Sequence, residues 1–246
     1  MFKFNFSNEN NKTKEEEILP PNTTWLESKK IEPNEDDDVL KDIFNNCEEN
    51  SLDCKDVNIK YFSTVDVLNI LKTNEDWASS EKLSVLSADQ NHSDLQTAVY
   101  EGGLKIWECT YDLISYMVDE NLNLNNKNVL DLGCGAGLIG LLCLAKGSSC
   151  TFQDYNAEIL KYITIPNVRL NGEEDYLSKS SFHSGDWESF TDLIGIEKDE
   201  DKFDYIFTSE TIYNAENYGK LHELFERLLK KDGEMYPYDR FYIISC

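Results

Sequence analysis

Asn128-Val-Leu-Asp-Leu-Gly-Cys-Gly-Ala-Gly-Leu-Ile-Gly140 is the stretch that decides the fold of this chain. The short apolar run Val129 to Leu132 passes directly into four glycines and then into the apolar stretch Leu138 to Ala145. That order predicts a buried parallel strand, a glycine turn and a helix, the opening of a nucleotide-binding α/β unit. Glycines at the strand end let the backbone approach a ligand closely and take φ > 0 where the turn needs it.

Elements of the same kind follow. Ser149-Cys-Thr-Phe-Gln-Asp154 reads as a second strand, and Asn156 caps a helix that runs to about Ile165 and resumes after Pro166. Phe182-His-Ser-Gly-Asp-Trp187 gives a third strand and turn, and Phe203-Asp-Tyr-Ile-Phe-Thr208 a fourth, apolar enough for a sheet centre. Asn217 to Lys231 is amphipathic, and Lys230-Lys231-Asp232-Gly233 reads as its stop. Phe241-Tyr-Ile-Ile244 is a last strand. Upstream, Leu113, Ile114, Met117 and Val118 place a helix at about Trp107 to Glu120. The alternation predicts an α/β fold with a doubly wound, mostly parallel, Rossmann-like sheet.

Residues 1 to 55 are rich in Asn, Glu, Asp, Lys and Pro and include Glu35-Asp36-Asp37-Asp38. They are expected to form a disordered acidic tail, because they bury too little apolar surface to offset ordering entropy. Residues 56 to 97 are expected to hold a small N-terminal β-element, in which Val57 to Ser63 pairs with Glu81 to Ser87.

With 246 residues and 40% hydrophobic residues, the chain can bury one α/β domain plus an appendage. Its net charge of −24 would repel nucleic acid and suits a basic protein or peptide. The seven cysteines form no CxxC pair and no His/Cys cluster, so reduced thiols and no metal site are expected. No apolar run is long enough to span a membrane, and the polar start lacks an export signal. A monomer in the cytoplasm and nucleus is the expectation.

Two cofactors compete for the glycine loop. Gly135, Gly137 and Gly140 satisfy GxGxxG, the dinucleotide fingerprint. Asp131, two residues before the first glycine, opposes it, because a carboxylate there would meet phosphates. S-adenosylmethionine has no phosphate and carries a sulfonium and an ammonium, which an acid tolerates or favours. Asp154, about 20 residues past the loop, is placed to accept from ribose hydroxyls. Asp186 is either an acceptor for the adenine amino group, with Trp187 packed on the ring, or a turn residue in Ser-Gly-Asp.

Glu101-Gly-Gly-Leu-Lys-Ile-Trp-Glu-Cys-Thr110, Asp-Leu-Gly-Cys-Gly-Ala-Gly, Phe-Gln-Asp-Tyr-Asn, Ser-Gly-Asp-Trp and Ser-Glu-Thr-Ile-Tyr-Asn occur in this order. Together they resemble the motifs of the histidine protein methyltransferases, the METTL18-like branch of the seven-strand S-adenosylmethionine-dependent enzymes, over about residues 95 to 233. The resemblance implies a methyltransferase domain at 98–246. It implies a cofactor site of Ile106, Trp107, Glu108, Cys109, Thr110, Gly133, Gln153, Asp154, Tyr155, Gly185, Asp186, Trp187 and Ser209, to which the reading of the glycine loop adds Asp131, Gly135 and Gly137. It further implies transfer of a methyl group to a histidine of a large-subunit ribosomal protein. The family's sheet ends in two further strands, which this sequence is expected to lack, leaving an edge beside strand five.

Such a reaction asks little of acids and bases. A neutral imidazole nitrogen attacks the methyl in line, so positioning supplies most of the rate. Glu210, Tyr213 and Asn214 are the candidates for orienting the substrate; alternatively Glu210 caps a turn and Tyr213 packs on the core. His92, just ahead of the family-like stretch, is a candidate for self-methylation or a solvated loop residue, whereas His183 and His222 are expected to have no chemical role. A lysine methyltransferase on the same core, and a catalytically silent module that binds its client through acidic surface, are the other readings.

Overall fold

The computed structural model describes residues 25–34, 37–73, 98–239 and 242–243. Its elements are β1 (Lys29–Lys30), α1 (Asp38–Asn46), β2 (Glu49–Cys54), β3 (Val57–Phe62), α2 (Thr64–Thr73), α3 (Glu108–Asp119), β4 (Asn128–Leu132), α4 (Leu138–Ala145) and β5 (Ser149–Asp154). A helical stretch then leads through Ala157–Ile159 and a π segment, Leu160–Thr164, into α5 (Ile165–Ser178). β6 (Ser180–Ser184), α6 (Trp187–Ile194), β7 (Phe203–Ser209), α7 (Tyr218–Leu228), β8 (Leu229–Asp239) and β9 (Tyr242–Ile243) complete the order.

The seven-stranded sheet runs β1-β6-β5-β4-β7-β8-β9. β6, β5, β4, β7 and β8 are parallel, and β1 and β9 flank them antiparallel. This is the doubly wound α/β sheet that the alternation predicts. Side chains on β4 alternate between faces. Val129 joins the core that includes α3, α4 and α5, and Leu130 and Leu132 join the core beneath α6 and α7. Helix α4 is apolar all round because it is enclosed, and Leu138 to Leu144 are all buried.

Four expectations change. Within the segment expected to be a disordered tail, the described residues build β1, α1 and β2. Val39, Leu40 and Ile43 of α1 are buried, and Asp37 caps the helix by accepting from the Val39 N–H at 2.9 Å. Acidic composition hid an amphipathic turn. Val57–Phe62 is a strand, but its partner is Glu49–Cys54; the other predicted partner, 81–87, lies outside the described residues. This hairpin docks on α5, where Asn167 accepts from the Phe62 N–H at 2.9 Å and Asn171 from the Lys60 N–H at 2.8 Å.

The helix after β5 passes through Pro166 without a break. Ile165 N–H donates to Leu160 O, five residues back, immediately before the residue that has no N–H to give. At the other end of the domain, α7 stops at Leu228, and Lys230 to Gly233 belong to β8. Lys230 Nζ lies 3.0 Å from Asp204, which also meets Lys127 at 3.3 Å, so the predicted helix stop is a strand start. Among the described residues the sheet continues past β8 only as β9.

Candidate functional site

Beyond the carboxyl ends of β4, β5, β6 and β7, the edge where open α/β sheets bind ligands, lies a cleft. Gly133 to Ala136 and Leu138 form its floor, with Asp154, Tyr155, Asp186 and Trp187 along one side. Ser209, Glu210, Thr211, Tyr213 and Asn217 line another side, and Glu101 to Gly103, Lys105 to Trp107 and Thr110 the front. Trp25 closes the remaining wall.

The glycine loop is held from behind. Gly135 has φ +49, and a Cβ there would come within 3.3 Å of Gly103 O, so two backbones meet at this point. Gly135 N–H donates to Asp154 Oδ2 at 3.0 Å, Thr164 Oγ1 donates to Gly135 O at 2.7 Å, and Asn167 Nδ2 to Ala136 O at 2.9 Å. Thr164 closes the π segment and Asn167 lies in the first turn of α5, on either side of Pro166. Gly140 has a different role. A Cβ there would lie 2.2 Å from Phe152 Cε1, so this glycine lets α4 sit against the sheet.

Asp131 does not reach the cleft. It is 1% exposed, and its Oδ2 accepts from Gly140 N–H at 2.8 Å, which fastens the start of α4 to β4. Burial pushes its carboxyl up to about 7. Asp131, expected among the cofactor-binding residues, is therefore corrected to a fastening role. Gly137 also stays off the cleft, as the N-cap of α4 with φ +76.

Asp154 does reach the cleft. Its Oδ1 accepts from Asn156 N–H at 3.0 Å and burial pushes the carboxyl up to about 6. Two backbone bonds leave lone pairs over for a ligand hydroxyl. Gln153, fully buried, stands behind the wall rather than in it. Its Nε2 donates to Gly185 O at 2.8 Å, and its Oε1 accepts from Trp187 Nε1 at 3.1 Å. One amide thus ties the ends of β5 and β6. Gly185 is likewise a supporting residue, with φ +103.

Asp186 serves the turn and also lines the cleft, so both roles weighed for it are compatible with its place. It caps α6 through Glu188 N–H at 3.1 Å, and its Oδ1 accepts from Lys220 Nζ at 2.6 Å. Lys220 Nζ in turn lies 3.9 Å from the centre of the Trp25 ring. The segment bearing Trp25 crosses the end of β6: Leu26 N–H donates to Tyr155 Oη at 3.1 Å, Asp186 N–H to Leu26 O at 2.9 Å, and Ser28 N–H to Ser189 Oγ at 2.8 Å.

The front wall hangs on Asn156. This residue occupies the N-cap position, but its side chain makes no cap bond. Instead its Nδ2 donates to Val99 O at 2.8 Å and its Oδ1 accepts from Glu101 N–H at 3.1 Å. Trp107 Nε1 donates to Gly102 O at 3.3 Å, and Lys105 lies over the Trp107 ring. Ile106, Trp107 and Thr110 line the cleft, and Glu108 and Cys109 do not. Cys109 Sγ donates to Glu210 Oε1 at 2.9 Å, and Thr110 Oγ1 lies 3.3 Å from Ser209 Oγ.

At the mouth, Tyr213 Oη donates to Glu101 Oε2, and Ala98 N–H donates to Glu101 Oε1 at 2.8 Å. Burial and the Glu101 carboxylate push the Tyr213 phenol up, so it stays neutral. Glu210 sits at φ +55, a conformation uncommon for a side-chain-bearing residue, beside the cleft. Asn214 does not line the cleft; its Oδ1 caps a 3₁₀ turn by accepting from Glu216 N–H at 3.0 Å. It is corrected from substrate orientation to capping. His183 is buried with its ring edge-on to Phe190, His222 is exposed on α7, and His92 lies outside the described residues. Among the described residues no group of three or more His, Cys, Asp or Glu could hold a metal ion.

Trp25, Glu101, Gly103, Lys105, Thr211 and Asn217 are lining residues absent from the expected set. Glu101, Gly103 and Lys105 lay inside the most distinctive motif, whereas Trp25 sat in polar sequence with no periodicity to mark it.

A family model described as "Lysine methyltransferase" matches residues 89–240. A Dictyostelium discoideum protein named Histidine protein methyltransferase 1 homolog is 43% identical over 150 residues, covering 61% of this chain and 47% of that protein. The Bos taurus protein of the same name is 44% identical over 168 residues, covering 59% and 45%. A Xenopus tropicalis protein N-lysine methyltransferase is 26% identical over 123 residues, covering 50% and 54%. The chain spans about half the length of the curated relatives it matches.

Proposed function

The chain belongs to the family described as lysine methyltransferases, and from that premise we propose that it is a protein-L-histidine N-methyltransferase using S-adenosylmethionine. The observation that carries the reading is the joining of two features in one cleft. A glycine floor with Asp154 beside it lies beneath a mouth made of Glu101, Glu210 and Tyr213. The identity of 43–44% to histidine protein methyltransferase 1 homologs, against 26% to the N-lysine enzyme, favours histidine as the acceptor.

The residues fit the cofactor. The floor at Gly133 and Gly135 is bare backbone, where a Cβ would meet Thr211 at 2.8 Å and Gly103 O at 3.3 Å, and Asp154 has acceptor capacity left for ribose hydroxyls. S-adenosylmethionine supplies an electrophilic methyl group on a sulfonium. The protein supplies placement. Glu101, fixed by Ala98 N–H and Tyr213 Oη, is a carboxylate held at the mouth, where it can accept from the ring N–H opposite the attacking nitrogen. That contact selects one tautomer and orients the other nitrogen's lone pair toward the floor. No base is needed beforehand, because imidazole is mostly neutral at pH 7, whereas a lysine amine must first lose a proton.

The substrate class we propose is a large-subunit ribosomal protein, which the net charge of −24 supports through attraction to a basic partner. We place the protein in the cytoplasm and nucleus as a monomer. No helix among the described residues is long and apolar enough to cross a membrane.

The test is incubation of the protein with S-adenosylmethionine carrying a deuterated methyl group and purified large-subunit ribosomal proteins, followed by fragment mass spectrometry. Label on an imidazole is the expected result. Label on a lysine amine, which the family description and the Xenopus relative favour, overturns the acceptor assignment. Calorimetric binding of S-adenosylhomocysteine without any transfer marks a silent binding module.

A further inference from the structure

We propose that Asn167 makes the β2–β3 hairpin a positioning element for the glycine loop, so that docking of the hairpin and binding of S-adenosylmethionine favour each other. The inference rests on the S-adenosylmethionine reading above, and it concerns a part of the chain that lines no wall of the cleft. Asn167 is fully buried, and its amide faces two ways. Its Oδ1 accepts from Phe62 N–H of β3 at 2.9 Å, and its Nδ2 donates to Ala136 O of the glycine loop at 2.9 Å. Ala136 lines the cleft, and a peptide unit is planar, so the held carbonyl sets the plane in which the loop meets a ligand.

One helical turn on, Asn171 brackets Lys60 of the same strand. Its Oδ1 accepts from Lys60 N–H at 2.8 Å, and its Nδ2 donates to Lys60 O at 2.6 Å and to Asn167 O at 2.8 Å. Asn171 thus docks the hairpin on α5, and Asn167 carries that docking through to the loop. Packing alone would not do so. Ile59 and Phe62 share a core with Ala136, Leu138 and Ile139, but apolar contact is non-directional. A hydrogen bond is directional, and an amide with one bond on each element ties their positions together. When the hairpin lifts, Oδ1 loses its donor and the amide is free to turn away from Ala136 O. The loop then loses a tie that a bound cofactor needs in place. By reciprocity the cofactor, once bound, holds the hairpin down by the same factor.

The experiment is hydrogen exchange on the full chain with and without saturating S-adenosylhomocysteine, read at the Lys60 and Phe62 amides, with calorimetry for affinity. In the wild type the ligand is expected to slow both amides by about 5–10-fold. Leu224 and Leu228 of α7, in the core on the other face of the sheet, keep their rates. Asn171→Ala speeds the hairpin amides without ligand yet keeps the ligand-induced slowing. Asn167→Ala loses the slowing and binds S-adenosylhomocysteine about 5–10-fold more weakly. A residue that only stabilised the fold would shift the ligand-free rates and leave the slowing intact. Unchanged hairpin rates in the ligand-bound wild type, equal slowing in α7, or slowing retained in Asn167→Ala overturns the proposal while the cofactor reading survives. If Asn167→Ala does not fold, loss of the slowing in Asn171→Ala overturns it. Failure of the wild type to bind S-adenosylhomocysteine sinks the cofactor reading and the proposal with it.

Discussion

A methyl group at Gly185 should push the Trp25 segment off the sheet. Gly185 has φ +103, and a Cβ there would lie 2.6 Å from Ser28 Cα, 2.7 Å from Glu27 O and 2.7 Å from Ser28 N. Since 3.4 Å is the near edge of ordinary contact, the segment must move by about 0.8 Å (3.4 − 2.6). The neighbours are backbone, so no side chain can swing aside. Three hydrogen bonds hold the segment there, at 2.8–3.1 Å. Neutral bonds of this kind contribute about 1 kcal/mol each, and the backbone strain at a non-glycine adds about 1–3 kcal/mol. The segment can detach and so cap the loss, which puts the expected cost of Gly185→Ala at about 2–4 kcal/mol. Urea unfolding measures the total, and hydrogen exchange at the amides of Leu26, Ser28 and Asp186 localises it. Those amides should lose protection while Phe152 in β5 keeps it. A cost below about 0.5 kcal/mol with unchanged protection would refute the docking of this segment against Gly185.

Gly140→Ala should cost about 1–3 kcal/mol through overpacking, because its Cβ would meet Phe152 and Cys150 in a closed core; thermal unfolding checks this, and an unchanged melting temperature counts against it. Gln153→Leu leaves Gly185 O and Trp187 Nε1 without their partner, so a loss of about 2–4 kcal/mol is expected in chemical denaturation. Asp131 gives a pH signature. Burial raises its carboxyl to about 7, above the unfolded value of about 3.9, so the folded state holds the proton over that interval. The resulting stabilisation is fully present below pH ~4 and lost as pH rises through about 7. The unfolding free energy of the wild type minus that of Asp131→Asn should therefore fall from pH 4 to 7 and then level, and a flat difference would exclude the assignment.

The central strand, its glycine loop and the helix after it were legible because each is encoded locally. A continuous apolar run, glycines at the turn and a second apolar run leave one arrangement that buries both. Asp154 was legible for the same reason, since its place at a strand end follows from counting along an α/β unit. The roles of Asp131, Gln153 and Asp186 were not. Each is a polar residue in the right stretch, but whether a side chain faces the ligand or a neighbouring backbone depends on which N–H groups the fold brings within 3 Å or so. Asp131 found Gly140, Gln153 found Gly185 and Trp187, and Asp186 found Lys220.

What the sequence by itself determined is the α/β core, the ligand-binding edge of the sheet and the family to which its motifs point. Only the tertiary structure decided which of those motif residues line the cleft and which brace it. It alone brought Trp25 to the site, since that residue is carried by a polar segment whose position comes from hydrogen bonds to Tyr155, Asp186 and Ser189, more than a hundred residues away in sequence. Contacts that distant leave no periodicity in the sequence, because they constrain single residues rather than faces.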